Sequence, residues 1–216
     1  MKKAIVLVSG GLHSTTALAI AASRDYEIYA LSFDFGQKNK YKLGAAKKIA
    51  QKYKVKEHRT VAFNINSLLD LDEQGPDISN EILPARNNLF LSFALCWAEL
   101  VEASHLFIGV NSIEYGDNPD CRPAFIHTFE KLANVAIKKK RTMGKMNVWS
   151  PLMNTATADA IKKGLALGVD YGETYSCQDL DQDGNACGDC VSCEYRRDGF
   201  KEAGVEDPTR YRHDER

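Results

Sequence analysis

The chain has almost no net charge, no long apolar run and no internal repeat. Its 28 Lys and Arg residues nearly cancel 29 Asp and Glu residues, leaving a formal charge of −1. Such a balance provides no global field to recruit nucleic acid or an anionic membrane surface. The apolar run after Met1-Lys2-Lys3, Ala4-Ile5-Val6-Leu7-Val8, is too short for a signal-peptide core or a membrane span. A cytoplasmic protein without membrane contact is therefore expected. Two nucleotide-binding signatures are also missing. No Gly-Lys-Ser/Thr follows Ser9-Gly10-Gly11, so the loop is not a Walker loop, and without a third glycine it is not a dinucleotide fingerprint. By contrast, a hydrophobic fraction of 44% over 216 residues supports a real core, enough for one α/β domain with a small appendage. Cysteine is not scarce: there are six.

Apolar patterning orders the chain. Ala4–Val8 reads as a buried parallel strand, being short, continuous and β-branched. The Ala/Leu-rich segment Thr16–Ala22 reads as a helix, with Ser14 or Thr15 as its cap. Glu27–Phe33 and His58–Phe63 read as strands around a helix over Tyr41–Tyr53, whose Leu43, Ala46, Ile49, Ala50 and Tyr53 share one face. The β-α-β-α-β opening predicts a doubly wound, mostly parallel sheet. Further on, a polar loop over Leu71–Ala85 precedes an apolar helix, Asn87–Glu102, and a strand, Leu106–Val110. A second long loop, Asn111–Pro123, leaves that strand at its carboxyl end, where ligands bind in open α/β sheets. Phe125–Lys140 reads as a helix whose terminal Lys138-Lys139-Lys140-Arg141 suits a solvated, cation-favouring C-terminus. Asn147-Val148-Trp149 leads into Pro151-Leu152, and Thr157–Leu167 reads as a last helix ending at Gly168.

The stretch Val8-Ser9-Gly10-Gly11-Leu12-His13-Ser14-Thr15 joins the first strand to the first helix. Paired glycines let the backbone approach a ligand, and the helix start offers free N–H groups and a positive dipole end. Ser9, Ser14 and Thr15 add hydroxyl donors, so the composite suits phosphate. It resembles the pyrophosphate loop of the ATP pyrophosphatases, Ser-Gly-Gly-x-Asp-Ser, with His13 at the acidic position.

Four cysteines fall together. Cys187-Gly188-Asp189-Cys190-Val191-Ser192-Cys193 gives two overlapping Cys-x-x-Cys steps, and Cys177 lies ten residues upstream. Four thiolates suit a closed tetrahedral zinc site, with the turn at Asp181, Asp183, Gly184 and Asn185 returning Cys177 to the others. An iron–sulfur cluster and a redox pair are the alternatives. A boundary near Thr174 would separate an α/β domain, 1–173, from a metal-binding segment, 174–216, packed on it. Cys96, on an apolar helix, is expected in the core.

Taken in order, these pieces resemble the 7-cyano-7-deazaguanine synthases, queuosine-pathway ligases of the ATP pyrophosphatase superfamily, over nearly the full length. The resemblance rests on the glycine loop, Phe33-Asp34-Phe35-Gly36-Gln37, Pro84-Ala85-Arg86-Asn87, Gly109-Val110-Asn111, Asn118-Pro119-Asp120-Cys121-Arg122, and Ser176-Cys177 with the later cysteines. It implies an adenine nucleotide alpha-hydrolase-like fold, homodimers and one structural zinc on Cys177, Cys187, Cys190 and Cys193. It also implies an activity: ATP adenylates 7-carboxy-7-deazaguanine, ammonia gives the amide, and a second activation yields the nitrile. In this reading ATP, carrying magnesium, meets Val8 to Thr15, with Leu31, Ser32, Phe33 and Gln37 at the nucleotide. Ser9, His13, Ser14 and Arg86 are the catalytic candidates. Asp34, Arg86, Asn87, Asp120 and Arg122 are the candidates for the deazaguanine acid, with helix capping as the plainer role for Asn87 and core packing for Phe33 and Phe35.

Three positions depart from the family pattern. His13 stands for aspartate, which removes a hard oxygen ligand for magnesium; imidazole would instead donate to phosphate, in a cationic form favoured by the anion. Thr157 stands for a lysine and reads as a helix cap. Glu114-Tyr115-Gly116-Asp117-Asn118 lacks the usual Ser-Gly-Tyr. These departures leave room for a relative that stops at the amide or passes the acyl group to a protein amine, and for a binding module without chemistry. Nucleic-acid binding by the cysteine segment is disfavoured by Asp179, Asp181, Asp183 and Asp189.

Overall fold

The computed structural model describes residues 1–37, 40–63, 85–111 and 118–212. Lys38, the loop readings at Gly75, Pro76 and Pro84, and the Glu114-Tyr115-Gly116-Asp117 departure lie outside the described residues. The elements are β1 (Lys2–Leu7), α1 (Leu12–Ala22), β2 (Tyr26–Asp34), α2 (Tyr41–Lys52), β3 (Glu57–Ala62), α3 (Arg86–Val101), β4 (His105–Phe107), α4 (Pro123–Ala136), α5 (Lys140–Met143), β5 (Asn147–Trp149), α6 (Thr157–Ala166) and α7 (Val191–Ala203).

All strand pairs are parallel, in the order β3-β2-β1-β4-β5. The alternation of β1 explains the layering. Ile5 and Leu7 face a core closed by Leu91, Ala94 and Trp97 of α3 and Ile126, Phe129 and Ala133 of α4. Ala4, Val6 and Val8 face the opposite core, with Leu18 of α1 and Ala46 and Ile49 of α2. A strand buried on both faces needs apolar residues at every position, hence the unbroken run in the sequence. β3, at one edge, instead carries Glu57, His58, Arg59 and Thr60, the polar decoration that protects an edge strand. The doubly wound parallel sheet expected from the sequence is the observed fold.

Several boundaries differ. α1 begins at Leu12 with Gly11 as its N-cap, and the Ser14 and Thr15 hydroxyls donate to the Gly11 carbonyl at 3.1 and 2.8 Å rather than capping. α4 ends at Ala136, because buried Ile137 turns extended into the core; Lys138 and Lys139 follow it, and their backbone amides donate to the Glu99 carboxylate. Thr157 is the first residue of α6 and not its cap, which is Ala156. Cys96 is exposed and not in the core, since Leu91, Ala94, Trp97 and Ala98 take the inner face of α3.

β5 and α7 are additions to the sequence reading. α7 packs on α6, and Gly199 allows it: a Cβ there would lie 2.5 Å from Thr157 Cγ2. Buried Arg196 of α7 donates to Asp207 (3.0 Å), Thr174 Oγ1 (2.9 Å) and the Tyr171 carbonyl (2.9 Å), and its guanidinium lies over the Phe200 ring. The cysteine-bearing segment is thereby tied to the main sheet domain.

Candidate nucleotide site and cysteine centre

In a sheet ordered 3-2-1-4-5 the winding direction reverses between β1 and β4, and the crevice at their carboxyl ends is the place for a ligand. The glycine loop lies at that point. Gly10 adopts φ +80, and a Cβ there would lie 2.1 Å from the Lys42 carbonyl oxygen, so only glycine fits between the loop and α2. Across the crevice, a Cβ on Gly109 would lie 2.8 Å from Ser14 N, so the segment just past β4 meets the start of α1 backbone to backbone. The loop is braced internally: the Ser9 and Ser14 hydroxyls are 2.9 Å apart, Ser9 N donates to Ser14 Oγ (3.1 Å) and Gly11 N donates to Ser9 Oγ (3.3 Å). Ser9 is exposed and Gly11, His13 and Ser14 are half-buried, so side chains do not seal the mouth.

His13 points toward β4. The Asn111 side-chain amide, itself buried, donates to its ring nitrogen at 3.0 Å. Burial, and secondarily the Arg196 charge, push the imidazole down to about 4, so it is neutral at physiological pH. The cationic form expected beside an anion is thus opposed by the ring's own surroundings. Thr157 is buried, and its Oγ1 has no hydrogen-bond partner among the described residues. Neither substituted position supplies a cation to the loop.

The other candidates divide. Asn87 and Asp120 meet across 33 residues: the Asp120 carboxylate accepts from Asn87 N at 2.7 Å, while the Asn87 amide reaches Cys121 Sγ at 3.1 Å. Asp120 therefore acts as a tertiary cap on α3, whose own N-cap is Ala85, and so holds Arg86 at the first position of that helix. Arg122, exposed, is the N-cap of α4. Ser32 Oγ is committed to the Val8 carbonyl (2.6 Å) and His58 Nε2 (2.8 Å), and the Leu31 carbonyl accepts from Val8 N (2.9 Å). Gln37 closes its own turn, donating to the Phe33 carbonyl (2.9 Å) and accepting from Phe35 N (2.8 Å); the Asp34 carboxylate accepts from Gly36 N. Phe33 is buried and stacks on Phe90 with centroids 4.0 Å apart. The side chains of Ser32, Phe33 and Gln37 thus shape the β2 end.

Cys177, Cys187, Cys190 and Cys193 bring their sulfurs within 4.8 Å of one another. The Cys177–Cys187 separation is 3.5 Å and Cys187–Cys193 is 4.0 Å, bracketing the roughly 3.8 Å edge of a tetrahedron with metal–sulfur bonds of about 2.3 Å. Backbone amides of Asp179 and Cys187 point at Cys177 Sγ, and that of Cys190 at Cys187 Sγ, the donors that thiolate ligands require. The four residues fit a metal ion. Sequence reading missed Asn111 as the partner of His13, Asp120 as a cap and Arg196 as the staple; each depends on contacts between distant segments, although Asn111 lay inside a quoted motif.

Comparison with known proteins agrees with this arrangement. The family model described as "Queuosine biosynthesis protein QueC" matches residues 3–204. The 7-cyano-7-deazaguanine synthase of Methylococcus capsulatus is 47% identical, covering 98% of this chain and 100% of that protein. That of Saccharophagus degradans is 46% identical over 97% of this chain and 98% of the relative. Among solved structures, NMN synthetase from Francisella tularensis shares the fold, with a TM-score of 0.55 at 15% identity over 95% of this chain and 78% of that one. The matched span runs from β1 through the glycine loop and all four cysteines to the end of α7, and the chain belongs to the QueC family of queuosine biosynthesis proteins.

Proposed function

We propose that this protein is an ATP-dependent ligase that converts 7-carboxy-7-deazaguanine and ammonia to 7-cyano-7-deazaguanine. The observation that carries the reading is full-length similarity, at 44–47% identity, to proteins named for that synthase. The braced glycine loop at the sheet's switch point supports it. A carboxylate becomes electrophilic once its oxygen is a leaving group. Attack of that oxygen on the α-phosphorus of ATP forms the acyl adenylate and releases pyrophosphate. Ammonia then adds to the acyl carbon and AMP leaves, giving the amide. A second adenylation, on the amide oxygen, lets the nitrogen lose its protons as AMP departs and the nitrile forms.

The loop's part is electrostatic. In this reading the N–H groups of the first turn of α1, Leu12 to Ser14, and the Ser9 hydroxyl would meet the charge that grows on the departing pyrophosphate, while the other loop donors brace the loop itself. Arg86, at the start of the helix that Asp120 caps, is the candidate to take phosphate or substrate carboxylate in a bidentate grip. Magnesium would enter with the nucleotide, and imidazole at position 13 would offer it no hard oxygen ligand. In the cysteine centre zinc is the ion of choice, and its contribution is to fold the segment that packs on the loop. The protein is read as a cytoplasmic homodimer; among the described residues no helix is long and apolar enough to cross a membrane.

Mass spectrometry of the product from 7-carboxy-7-deazaguanine, ATP and ammonium tests the reading. Nitrile is expected. Amide alone, acylated protein, or nucleotide binding without pyrophosphate release would each replace it with one of the readings opened by the three departures.

A further inference from the structure

Past β4 the chain runs into the crevice and meets the start of α1 twice. Ile108 N donates to the Trp149 carbonyl at 2.9 Å, which keeps the segment beside the end of β5. Gly109 then lies against the His13–Ser14 peptide: a Cβ there would come within 2.8 Å of Ser14 N and 2.9 Å of the His13 carbonyl oxygen. Val110 is buried in the core under α3 and α4, and Asn111 after it is 1% exposed. The Asn111 amide nitrogen lies 3.0 Å from Nδ1 and 3.0 Å from Nε2 of His13. Backbone contact at Gly109 and side-chain contact at Asn111 together hold the imidazole on the β4 wall of the crevice.

A neutral imidazole carries one lone pair and one N–H, and an amide nitrogen can only donate. Lying equally close to both ring nitrogens, the amide serves the lone pair in either tautomer and the N–H in neither. Among the described residues His13 makes no other hydrogen bond, so its N–H has no acceptor there. The ring is half-buried at the mouth of the crevice, where a ligand oxygen can complete the pairing. Burial of the ring, with the Arg196 charge acting in the same sense, favours the uncharged form that this arrangement needs.

We propose that Asn111 is a positioning residue: by holding the His13 ring and occupying its lone pair, it leaves the N–H as the group that His13 offers to a phosphate oxygen of the nucleotide. His13 then works as an uncharged donor beside the first turn of α1, and not as a base, which would need the lone pair. The identity of the ligand rests on the ligase reading. The competing role for Asn111 is to fill the space between the β4 segment and α1, and the experiment must separate the two.

A double-mutant cycle over His13→Ala and Asn111→Ala does so. It is read in calorimetric affinity for a nonhydrolysable ATP analogue, with Tm recorded for every protein. Loss of a hydrogen bond to a charged acceptor is expected to weaken His13→Ala by about tenfold or more. Asn111→Ala should show most of that loss, and the double variant should bind no more weakly than His13→Ala, because Asn111 then has nothing to position. Losses that multiply in the double variant overturn the proposal, as does unchanged affinity in both single variants. Should Asn111→Ala not fold, nitrogen NMR of histidine-labelled wild type decides the point, with the His13 signals identified by their absence from His13→Ala. The ring is expected to be uncharged at neutral pH, with its protonated nitrogen shifting when the analogue is added. A signal that the analogue leaves unmoved, or a ring that is charged in the complex, overturns the proposal. Pyrophosphate release from ATP and 7-carboxy-7-deazaguanine is measured on the same proteins. If wild type binds the analogue but releases none, the ligase reading fails while the cycle still decides the role of Asn111; if wild type does not bind the analogue, both fall.

Discussion

His13 concentrates the residue-scale question. In the family pattern a carboxylate occupies this place, and here a neutral imidazole accepts from Asn111. An aspartate at 13 would accept from the same amide and restore a hard oxygen ligand beside the triphosphate. His13→Asp is therefore expected to raise the rate of pyrophosphate release in the presence of the acid by about tenfold, roughly 1.4 kcal/mol of barrier. A rate equal to or below wild type would show that the imidazole is the fitted group. The depressed pKa also has a stability consequence. Below its usual 6.5 the unfolded histidine binds a proton that the folded one refuses until about 4, so stability rises with pH through this window and is lost as pH falls. His58 and His105 are lowered too, chiefly by burial, so the wild-type slope contains more than one group. Comparison with His13→Asn isolates the first: between about pH 6.5 and about pH 5, urea denaturation should show wild type losing about 1–2 kcal/mol more than the variant. Equal losses would mean that the ring is solvated.

At the scale of elements, α7 and the cysteine centre behave as one unit. Cys190 is the helix N-cap and Cys193 lies in its first turn, so two of the four candidate ligands set the direction in which α7 leaves the cysteine centre. Arg196 one turn later binds Thr174 and Asp207, and that ion pair is almost wholly buried. Burial alone would raise the Asp207 carboxyl, but the Arg196 charge and the donors from Tyr211 and Thr209 outweigh it and hold it below the usual range. Metal removal should accordingly loosen more than four side chains. Stripping the ion with a strong chelator, or replacing Cys190 with Ser, is expected to lower Tm by about 10 °C, several kcal/mol at roughly 2–4 °C each, with loss of α7 helicity by circular dichroism. A Tm that does not move would show that packing against α6 suffices.

The same scale shows why some elements were legible in the sequence and others were not. β1, β2, α2 and α3 announce themselves because one periodicity dominates each. α7 does not: its cap Cys190 and its Cys193 are candidate metal ligands, Arg196 is buried and Gly199 replaces a side chain where Thr157 presses in. The thinly apolar β5 is a strand only because β4 offers an edge for it to pair with.

For the whole molecule, the apolar surface left over after folding is informative. α3 and α4 cover one face of the sheet, yet Leu100 is 68% exposed, Leu132 55% and Val135 88%, with exposed Cys96 and Phe93 on the same two helices. Apolar side chains gathered on one side of a small domain mark a contact surface, and in a homodimer read from family resemblance this is the face to bury. Leu100→Glu combined with Val135→Glu should convert a dimer to monomer in sedimentation velocity with little change in secondary structure. A dimer that persists would place the interface elsewhere.

Sequence by itself determined the class of fold, the phosphate-type loop and the four cysteines, because each is a local pattern: a doubly buried strand, glycines before a helix, thiols at metal spacing. Tertiary structure decided what those residues face. His13 is neutral because the fold buries its ring, to which Asn111 donates; α3 starts at Arg86 under a cap from Asp120, 33 residues beyond the amide it accepts from; and α2 reaches the loop because Gly10 has no Cβ. Charge and protonation follow from the company a side chain keeps, and neighbours far apart in the chain become neighbours only through the fold.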